Sequence, residues 1–261
     1  MRLVVNGALG RMGRMVVEAA AARPGVTVVA LIERPDHPQV GGLVPTPWGD
    51  QRLLCHPSEA GPADVGIDFS TPDAAVAFAE AMGKKGVAVL SGTTGMSPRH
   101  LEALRHVCAT VPVLWTPNTS LGVFCLHELA ALAAKVLGPA YDVEIIEVHH
   151  RHKRDAPSGT AISLARRIGD ESSIVACRQG ETGPRPVGEI GVLAVRGGEV
   201  VGEHTVLFLG DHDRLEITHR ASSRMLFAQG AVALAERLLG LGPGWYEVKD
   251  LFLPPAGVQS P

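Results

Sequence analysis

The first 33 residues constrain the fold more strongly than any other part of the chain. RLVVN is a short run rich in β-branched residues, and glycines at positions 7, 10 and 13 follow it directly. The apolar spacing then becomes helical from Arg11 to Ala22 and returns to a strand pattern in VTVVALIE, residues 26–33. Strand, glycine turn, helix and strand within about 30 residues form the unit from which parallel sheets are built.

The same alternation continues as far as residue 116. VGIDFS (65–70), VAVLSG (87–92) and VPVLWT (111–116) have the pattern of buried strands, and helical stretches opening at Thr71-Pro72 and Ser97-Pro98 separate them. Proline at the first helical position, after a hydroxyl-bearing residue, is a typical helix start. This order predicts a Rossmann-like, doubly wound parallel α/β sheet, which binds its ligand at the carboxyl ends of the strands.

The pattern changes after Asn118. A long Ala/Leu helix (about 123–137), a strand DVEIIEV (142–148), a helix in SGTAISLARRI and strand-like runs between 174 and 221 predict a second, α+β domain built on a mixed sheet. FAQGAVALAERLLG (227–240) predicts a closing helix, and the tail LPPAGVQSP is expected to be frayed. We therefore expect residues 1–120 with 225–261 to form a dinucleotide-binding domain, and 121–224 a substrate-binding and oligomerisation domain.

Composition excludes several classes of function. The 261 residues carry a net charge of −3 without a basic tail, which argues against a nucleic-acid partner. MRLVVNGALG does not resemble a signal peptide, and no run approaches the roughly 18 uninterrupted apolar residues of a membrane span. The four cysteines are widely spaced and form no Cys-x-x-Cys motif, so we expect reduced thiols, a cytoplasmic location and no metal.

Glycine spacing and an acidic residue together predict dinucleotide binding. Glycines after a first strand let a pyrophosphate approach the backbone at a helix N-terminus, although a tight structural turn would use the same residues. Glu33 ends the second strand, where an acid accepts hydrogen bonds from the adenosine ribose, and Arg34 could stack on adenine or meet a 2′-phosphate. The pair is compatible with NAD and with NADP, and an ordinary solvated loop pair is the alternative. GTTG (92–95) and TPNTS (116–120) end two further strands and suit a nicotinamide pocket.

The stretch HHRHK (149–153) leaves four interpretations. Zinc is disfavoured because adjacent histidines on a strand point in different directions. A phosphate or nucleic-acid patch lacks support elsewhere in the chain, and a solvated basic turn is the ordinary alternative. The favoured hypothesis is a site that binds an anionic substrate and moves protons, since histidine titrates near neutral pH and a neighbouring lysine is a second donor. Ser158-Gly159-Thr160 opens a helix beside it, either as a plain N-cap or as a cradle for a substrate carboxylate.

Several motifs together carry a family resemblance. GALGRMGR, DFSTPDA, GTTG, PNTSLGV, EIIEVHHRHKRDAPSGTA and LEITHRASSRMLFAQGA occur in order along nearly the whole chain, which resembles the dihydrodipicolinate reductases of lysine and diaminopimelate biosynthesis. The resemblance implies NAD(P)H-dependent reduction of 4-hydroxy-tetrahydrodipicolinate, a cyclic dicarboxylate, and a homotetramer formed through the second domain's sheet.

The resemblance also assigns roles to individual residues. It implies a proton donor/acceptor at His149 and a donor lysine at Lys153. The implied substrate-binding residues are His150, Ser158, Gly159 and Thr160. The implied NADH- or NADPH-binding residues are Gly7, Ala8, Leu9, Gly10, Arg11, Met12, Glu33, Arg34, Gly92, Thr93, Thr94, Pro117, Asn118, Thr119 and Ser120.

Two departures from the family pattern and two rival functions remain at this point. Thr119 stands where many members have Phe or Met, which questions one apolar contact near the nicotinamide, and the region 169–173 is short, as if a loop were trimmed. The rivals are another two-domain dehydrogenase acting on a small carboxylate and a dinucleotide-sensing protein without turnover.

Overall fold

The computed structural model describes residues 1–253 and divides the chain into two compact units. One contains Met1–Ser120 and Met225–Pro261, and the other contains Leu121–Arg224. Residues 254–261 lie outside the described part of the chain, and with them most of the tail that was expected to fray.

The elements are numbered in chain order. The first half contains β1 (Arg2–Asn6), α1 (Arg11–Ala21), β2 (Thr27–Ile32), β3 (Leu43–Val44), β4 (Gln51–Leu54), β5 (Val65–Asp68), α2 (Pro72–Lys84), β6 (Ala88–Ser91), α3 (Pro98–Val107) and β7 (Pro112–Trp115). The second half contains α4 (Leu121–Leu137), β8 (Asp142–His149), α5 (Gly159–Ile168), β9 (Ile174–Ala176), β10 (Ile190–Arg196), β11 (Gly202–Leu209), β12 (Arg214–Ala221), α6 (Met225–Leu238), β13 (Gly244–Tyr246) and α7 (Val248–Phe252).

The first unit is built on an eight-stranded sheet in the order β13-β7-β6-β5-β1-β2-β4-β3. Every pairing in it is parallel except the short β3–β4 pair at one edge. The strand order reverses at β1, which lies between β2 and β5, and ligands of open parallel sheets bind at such a switch point. The predicted Rossmann-like sheet is confirmed, with β3, β4 and β13 as strands that the sequence pattern did not reveal.

Small and branched side chains form the core of this unit, as the scarcity of aromatic residues requires. Phe78 and Met82 on α2 are fully buried against Val4 of β1 and Val89 of β6. Helix α6 contributes seven buried residues, of which four are alanine or glycine, so it packs closely against α1, β5 and β6. Close packing of small residues brings the loops at the strand ends near one another.

The second unit is built on a five-stranded mixed sheet in the order β12-β11-β8-β10-β9. β8, β10 and β9 are parallel, and β11 is antiparallel to both β8 and β12. One face is covered by α4 and α5, whose Leu126 and Leu164 pack on Ile145 and Val206. This confirms the mixed sheet expected for the second domain.

Helix α4, with the turn after it, is long and apolar enough to cross a membrane by length and composition alone, and within residues 1–253 the stretch Leu121–Ala140 is the one helical segment of this kind. Core helices pass the same test. Val123, Leu126 and Ala130 are buried against neighbouring elements, and Glu128 accepts a hydrogen bond from Arg167 at 2.8 Å, which fits a helix packed on a protein core.

Candidate active site

The glycine turn between β1 and α1 is packed so closely that side chains are excluded. Gly7 has φ +71°, and a Cβ on it would lie 2.4 Å from the carbonyl oxygen of Phe69. A Cβ on Gly13 would lie 2.1 Å from the Gly7 oxygen, inside van der Waals contact. The turn therefore requires glycine for reasons of geometry alone.

Some N–H groups of the turn are hydrogen-bonded within the protein, and others could bind a ligand. Ala8 donates to the Ile32 carbonyl at 3.0 Å, and Gly10 donates to the Gly7 carbonyl at 3.0 Å, so both serve the turn itself. Gly10 caps α1 without a side-chain hydrogen bond, so the first-turn N–H groups, at Arg11 and Met12, have no acceptor within the helix. An uncapped N-terminus of this kind suits a pyrophosphate, because its N–H groups and helix dipole both favour negative charge.

Glu33 is tied to the glycine turn. Its Oε2 accepts from the Leu9 N–H at 3.1 Å and its Oε1 accepts from the Arg34 N–H at 3.0 Å. Both bonds leave further lone pairs for ribose hydroxyls, which is how an acid at this position holds adenosine. The Arg34 side chain is exposed, and its Nε lies 3.5 Å from Asp36 Oδ1.

A cleft of about 400 Å³ opens beside the turn at the strand ends. Seven of the predicted cofactor-binding residues line it: Arg11, Met12, Gly92, Thr93, Thr94, Pro117 and Thr119. Phe69, Ser70 and Phe227 line it as well, and the sequence analysis did not select them. Gly92 is needed here because a Cβ on it would lie 2.2 Å from the Phe69 ring.

A buried carboxylate holds the loops of this cleft together. Asp68 is fully buried, and it accepts hydrogen bonds from Asn6 Nδ2, Ser91 Oγ and Thr93 Oγ1, each at 2.7 Å, and from Ser70 Oγ at 2.5 Å. Burial raises the pKa of Asp68, while the four donors oppose that rise. Thr93 Oγ1 also accepts from the Ser70 N–H at 2.8 Å, so the network joins the ends of β1, β5 and β6.

The turn that carries Pro117 to Ser120 is also internally bonded. The Asn118 side chain accepts from the Ser120 N–H at 2.9 Å. Thr119 is 2% exposed, and its hydroxyl donates to the Phe227 carbonyl at 2.7 Å. The position where the sequence departs from the family pattern is thus a polar anchor for the residue whose aromatic side chain lines the cleft.

In the second unit, β8 presents a glutamate and a histidine on one face. Glu147 and His149 are two residues apart, so their side chains lie on the same side of the strand. Glu147 is fully buried, and its Oε2 lies 2.5 Å from His149 Nδ1. Arg196 on β10 donates to both carboxylate oxygens, at 2.7 and 2.8 Å, and the Ser158 N–H donates to Oε1 at 2.9 Å.

These contacts set the protonation of the group. Burial alone would raise the pKa of Glu147, but the hydrogen bonds from Arg196, His149 and Ser158 outweigh it and hold that pKa below its ordinary value. Burial lowers the pKa of His149, and Glu147 opposes this shift. Glycine keeps space beside the imidazole, since a Cβ on Gly202 would lie 3.0 Å from His149 Nε2.

A second histidine packs against the first. The rings of His149 and His204 meet edge to face, with centroids 5.2 Å apart. Burial lowers the pKa of His204 to about 3, so it is neutral at physiological pH. Its Nε2 lies 3.2 Å from Ser158 Oγ, which also accepts from the Ala161 N–H at 3.2 Å. Ser158 is 2% exposed and serves as the N-cap of α5, the plain alternative that its sequence left open.

The remaining predicted substrate residues lie on the loop between β8 and α5. Lys153 Nζ lies 2.9 Å from Asp155 Oδ1, and the Lys153 side chain is 21% exposed. Hydrogen bonds from Lys153 and from the Gly159 N–H hold the pKa of Asp155 below its ordinary value. His150 is half-buried, and its N–H donates to the Val200 carbonyl at 2.8 Å. Gly159 and Thr160 form the first turn of α5, which begins shortly after the loop that carries Lys153 and Asp155.

Comparison with known proteins decides the family. The N-terminal model of dihydrodipicolinate reductase matches residues 1–119, and the C-terminal model matches residues 122–252. The chain belongs to the dihydrodipicolinate reductase family. It is 44% identical over 261 residues to the 4-hydroxy-tetrahydrodipicolinate reductase of Anaeromyxobacter dehalogenans strain 2CP-C, covering 96% of this chain and 97% of that one.

Two further comparisons agree. The 4-hydroxy-tetrahydrodipicolinate reductase of Aquifex aeolicus is 45% identical over 266 residues, covering 96% of this chain and 98% of that protein. A solved structure of dipicolinate-bound dihydrodipicolinate reductase from Paenisporosarcina sp. TG-14 superposes with a TM-score of 0.77 at 23% identity, over 97% and 99% of the two chains, and supports the fold. As a dihydrodipicolinate reductase, the chain is an NAD(P)H-dependent oxidoreductase, and the resemblance inferred from its motifs is confirmed.

Several residues of the cleft in the first unit and of the histidine cluster in the second could not be selected from motifs. Glu147 lies inside the EIIEVHH block, and its spacing of two from His149 on a strand was a usable signal. Arg196 is 49 residues away in sequence and reaches Glu147 only through strand pairing, in which it is the register partner of His149. Asp68, His204 and Phe227 gave no local signal of their roles.

Proposed function

We propose that this protein reduces 4-hydroxy-tetrahydrodipicolinate to tetrahydrodipicolinate with NADH or NADPH. Elimination removes the hydroxyl as water together with a proton from the neighbouring ring carbon, and reduction then adds a hydride to the first carbon and returns a proton to the second. The observation that carries the proposal is that His149 and Lys153 lie near enough to interact electrostatically, on the segment that leads into the N-terminus of α5. The full-length family match supports it.

The first unit fits a nicotinamide dinucleotide. The side-chain-free turn at Gly7 and Gly13 and the uncapped N-terminus of α1 suit a pyrophosphate, and Glu33 suits the adenosine ribose. The cleft lined by Phe69 and Phe227 suits a flat aromatic ring. When bound, the cofactor supplies the hydride.

In the second unit we assign residues to proton transfer and to carboxylate binding. His149 takes the role of proton donor, since its Nδ1 is engaged by Glu147 and its Nε2 is the nitrogen left to exchange a proton. Lys153 keeps its role as the second proton donor, and its ammonium group, together with the N–H groups at Gly159 and Thr160, also suits a ring carboxylate, which prefers charge-assisted donors at a helix start. His150 borders this loop and is assigned to substrate binding.

The test is a spectrophotometric assay at 340 nm with freshly generated aldehyde–pyruvate condensation product and each cofactor in turn. His149→Gln should lower kcat by about 100-fold or more, the scale of general-acid catalysis, and Lys153→Met should lower kcat/KM. Both variants should bind NADH as the wild-type protein does. Turnover of other small carboxylates instead would favour a different dehydrogenase, and cofactor binding without turnover would favour a sensor.

We also propose a homotetramer associating through the uncovered face of the five-stranded sheet. On that face Leu193 and Val195 of β10 are 36% and 46% exposed. Apolar side chains left on an open sheet face favour burial against another copy. Light scattering after size-exclusion chromatography tests this proposal, and Val195→Glu should shift the mass to smaller species. All four cysteines are free, which supports the cytoplasmic location expected from sequence.

A further inference from the structure

We propose that Glu147 is a positioning residue for His149, holding a proton on Nδ1 so that Nε2 faces the reaction, and that Arg196 fixes the orientation of the Glu147 carboxylate. The inference rests on the proposed function, because it concerns the proton donor assigned there. Glu147 is fully buried and is not placed in contact with substrate.

Strand geometry makes the arrangement rigid. β8 places Glu147 and His149 on one face, and β10 pairs with it in parallel so that Arg196 is opposite His149. Arg196 binds Glu147 through two nitrogen atoms, a geometry that fixes the plane of the carboxylate. The Ser158 N–H approaches from the start of α5 and occupies a further lone pair of Oε1. Glu147 therefore has a single orientation in which Oε2 meets His149 Nδ1.

This orientation selects the tautomer of the imidazole. A carboxylate accepts but does not donate, so the nitrogen facing it carries the hydrogen, and the other nitrogen gains and loses the catalytic proton. The same pairing of a buried carboxylate with imidazole orients histidine in other proton-transfer and metal sites. Without Glu147 the ring could turn or exchange tautomers.

Charges from every neighbouring element decide how readily His149 is protonated. Glu147 on β8 favours the protonated form, whereas burial and the charges of Lys153 and Arg196 disfavour it. The other histidines of this cluster are His204 on β11, His219 on β12 and His127 on α4, and burial lowers the pKa of each of them. They stay neutral around pH 7, so Glu147 is the group that sustains protonation of His149.

Substitutions of Glu147 and of Arg196 are therefore expected to shift the pH dependence of kcat in opposite directions. A donor must be protonated, so kcat falls as the pH rises through the pKa of His149. Glu147→Gln removes the favourable charge, and the falling limb of the kcat profile should move to lower pH by about one unit. Arg196→Met removes an unfavourable charge, and the limb should move to higher pH. Arg196→Lys keeps the charge and should leave the limb near its wild-type position.

The experiment measures kcat and KM from pH 5.5 to 9, together with the 15N chemical shifts of the His149 ring, assigned by difference with His149→Gln. For Glu147→Gln we expect kcat at pH 7.5 to fall about 10- to 100-fold with KM changed less than about threefold. In the wild-type protein the neutral ring should carry its hydrogen on Nδ1. Glu128→Gln is the matched control, because both oxygens of Glu128 also accept hydrogen bonds from a single arginine, Arg167.

Two results would contradict the role assigned to Glu147. A fall in kcat without movement of the limb, or a neutral ring protonated on Nε2, would overturn the inference. If Glu147→Gln does not fold, the opposite behaviour of Arg196→Met and Arg196→Lys still tests it, and identical profiles for those two variants would reject it. Absence of turnover by the wild-type protein would reject the proposed function instead, while the NMR titration of His149 would still test its pairing with Glu147.

Discussion

The ammonium group of Lys153 lies 2.9 Å from the carboxylate of Asp155, a residue of the same loop. The Gly159 N–H, like Lys153, helps to lower the pKa of Asp155, so this carboxylate interacts with groups that are assigned to a substrate carboxylate. A dicarboxylate that binds there has to replace this internal carboxylate.

Asp155→Asn should therefore improve substrate binding. An exposed ion pair is worth at most about 1 kcal/mol, so KM should fall by about two- to fivefold with kcat nearly unchanged. Initial rates over a range of substrate concentrations measure it, with Asp211→Asn on an exposed turn as the control. A rise in KM would mean that Asp155 holds Lys153 in its working position.

Cofactor preference should depend on Arg34 and its neighbour. Arg34 and Asp36 are exposed, with 3.5 Å between them, so their pairing is weak and the guanidinium can turn to a 2′-phosphate. Arg34→Met should weaken the binding of NADPH by about tenfold and that of NADH much less. Asp36→Asn should strengthen the binding of NADPH. The ratio of kcat/KM for the two cofactors measures both effects, and equal losses would indicate stacking on adenine.

Gly13→Ala should damage the glycine turn. Its Cβ would lie 2.7 Å from Ala8 Cα in addition to its clash with Gly7, and neither backbone atom can move freely. We expect a loss of about 1–3 kcal/mol in unfolding free energy and weaker binding of both cofactors. Thermal unfolding and NADH titration measure these effects. Gly61→Ala is the control, because nothing lies within 4 Å of a Cβ there.

Asp68→Asn should loosen the cofactor cleft. An amide nitrogen would face hydroxyl groups that now donate to a carboxylate, so Ser70 and Thr93 would lose their common anchor. NADH affinity should fall by about tenfold, the cost of an unmade buried hydrogen bond. Fluorescence titration measures it against Asp73→Asn, whose side chain is exposed. Unchanged affinity would show that the loops are held by other contacts.

The free energy of unfolding should fall when the pH is lowered through the range in which His204 titrates. Its pKa is about 3 in the folded protein and near 6.5 when unfolded, so the unfolded state binds more protons between these values. The contribution of His204 to the unfolding free energy should be complete above pH 6.5 and should decline as the pH falls toward 3. Denaturant titrations at pH 7, 5.5 and 4.5 measure it. His204→Gln should show a smaller decline, and an equal slope in both proteins would contradict the assignment.

Local sequence was sufficient for the framework of the fold. Repeated strand and helix patterns predicted the parallel sheet, and the change after Asn118 predicted the mixed sheet, because both depend on neighbouring residues. β3 and β13 were missed because strands of two or three residues have no measurable period.

The site was only partly predictable for a different reason. His149 and Lys153 stand in a dense motif, but Arg196 reaches Glu147 through the pairing of β8 and β10, and Phe227 reaches the cleft from α6. Such contacts depend on strand register and helix packing, which no local pattern specifies. Buried polar contacts are equally hard to predict. The residues next to Asp68 in the sequence do not indicate that four hydrogen-bond donors surround its side chain.

Helix α6 has a consequence for how the protein is made. It completes the nucleotide-binding unit with seven buried residues, yet it is translated only after the whole of 121–224. The nascent first unit therefore leaves the ribosome with an open groove beside α1, β5 and β6, and becomes a finished domain only when the last seventh of the polypeptide, from Met225 onward, arrives. Premature termination near residue 224 would thus leave the first unit without α6, although every residue of the second unit had been translated.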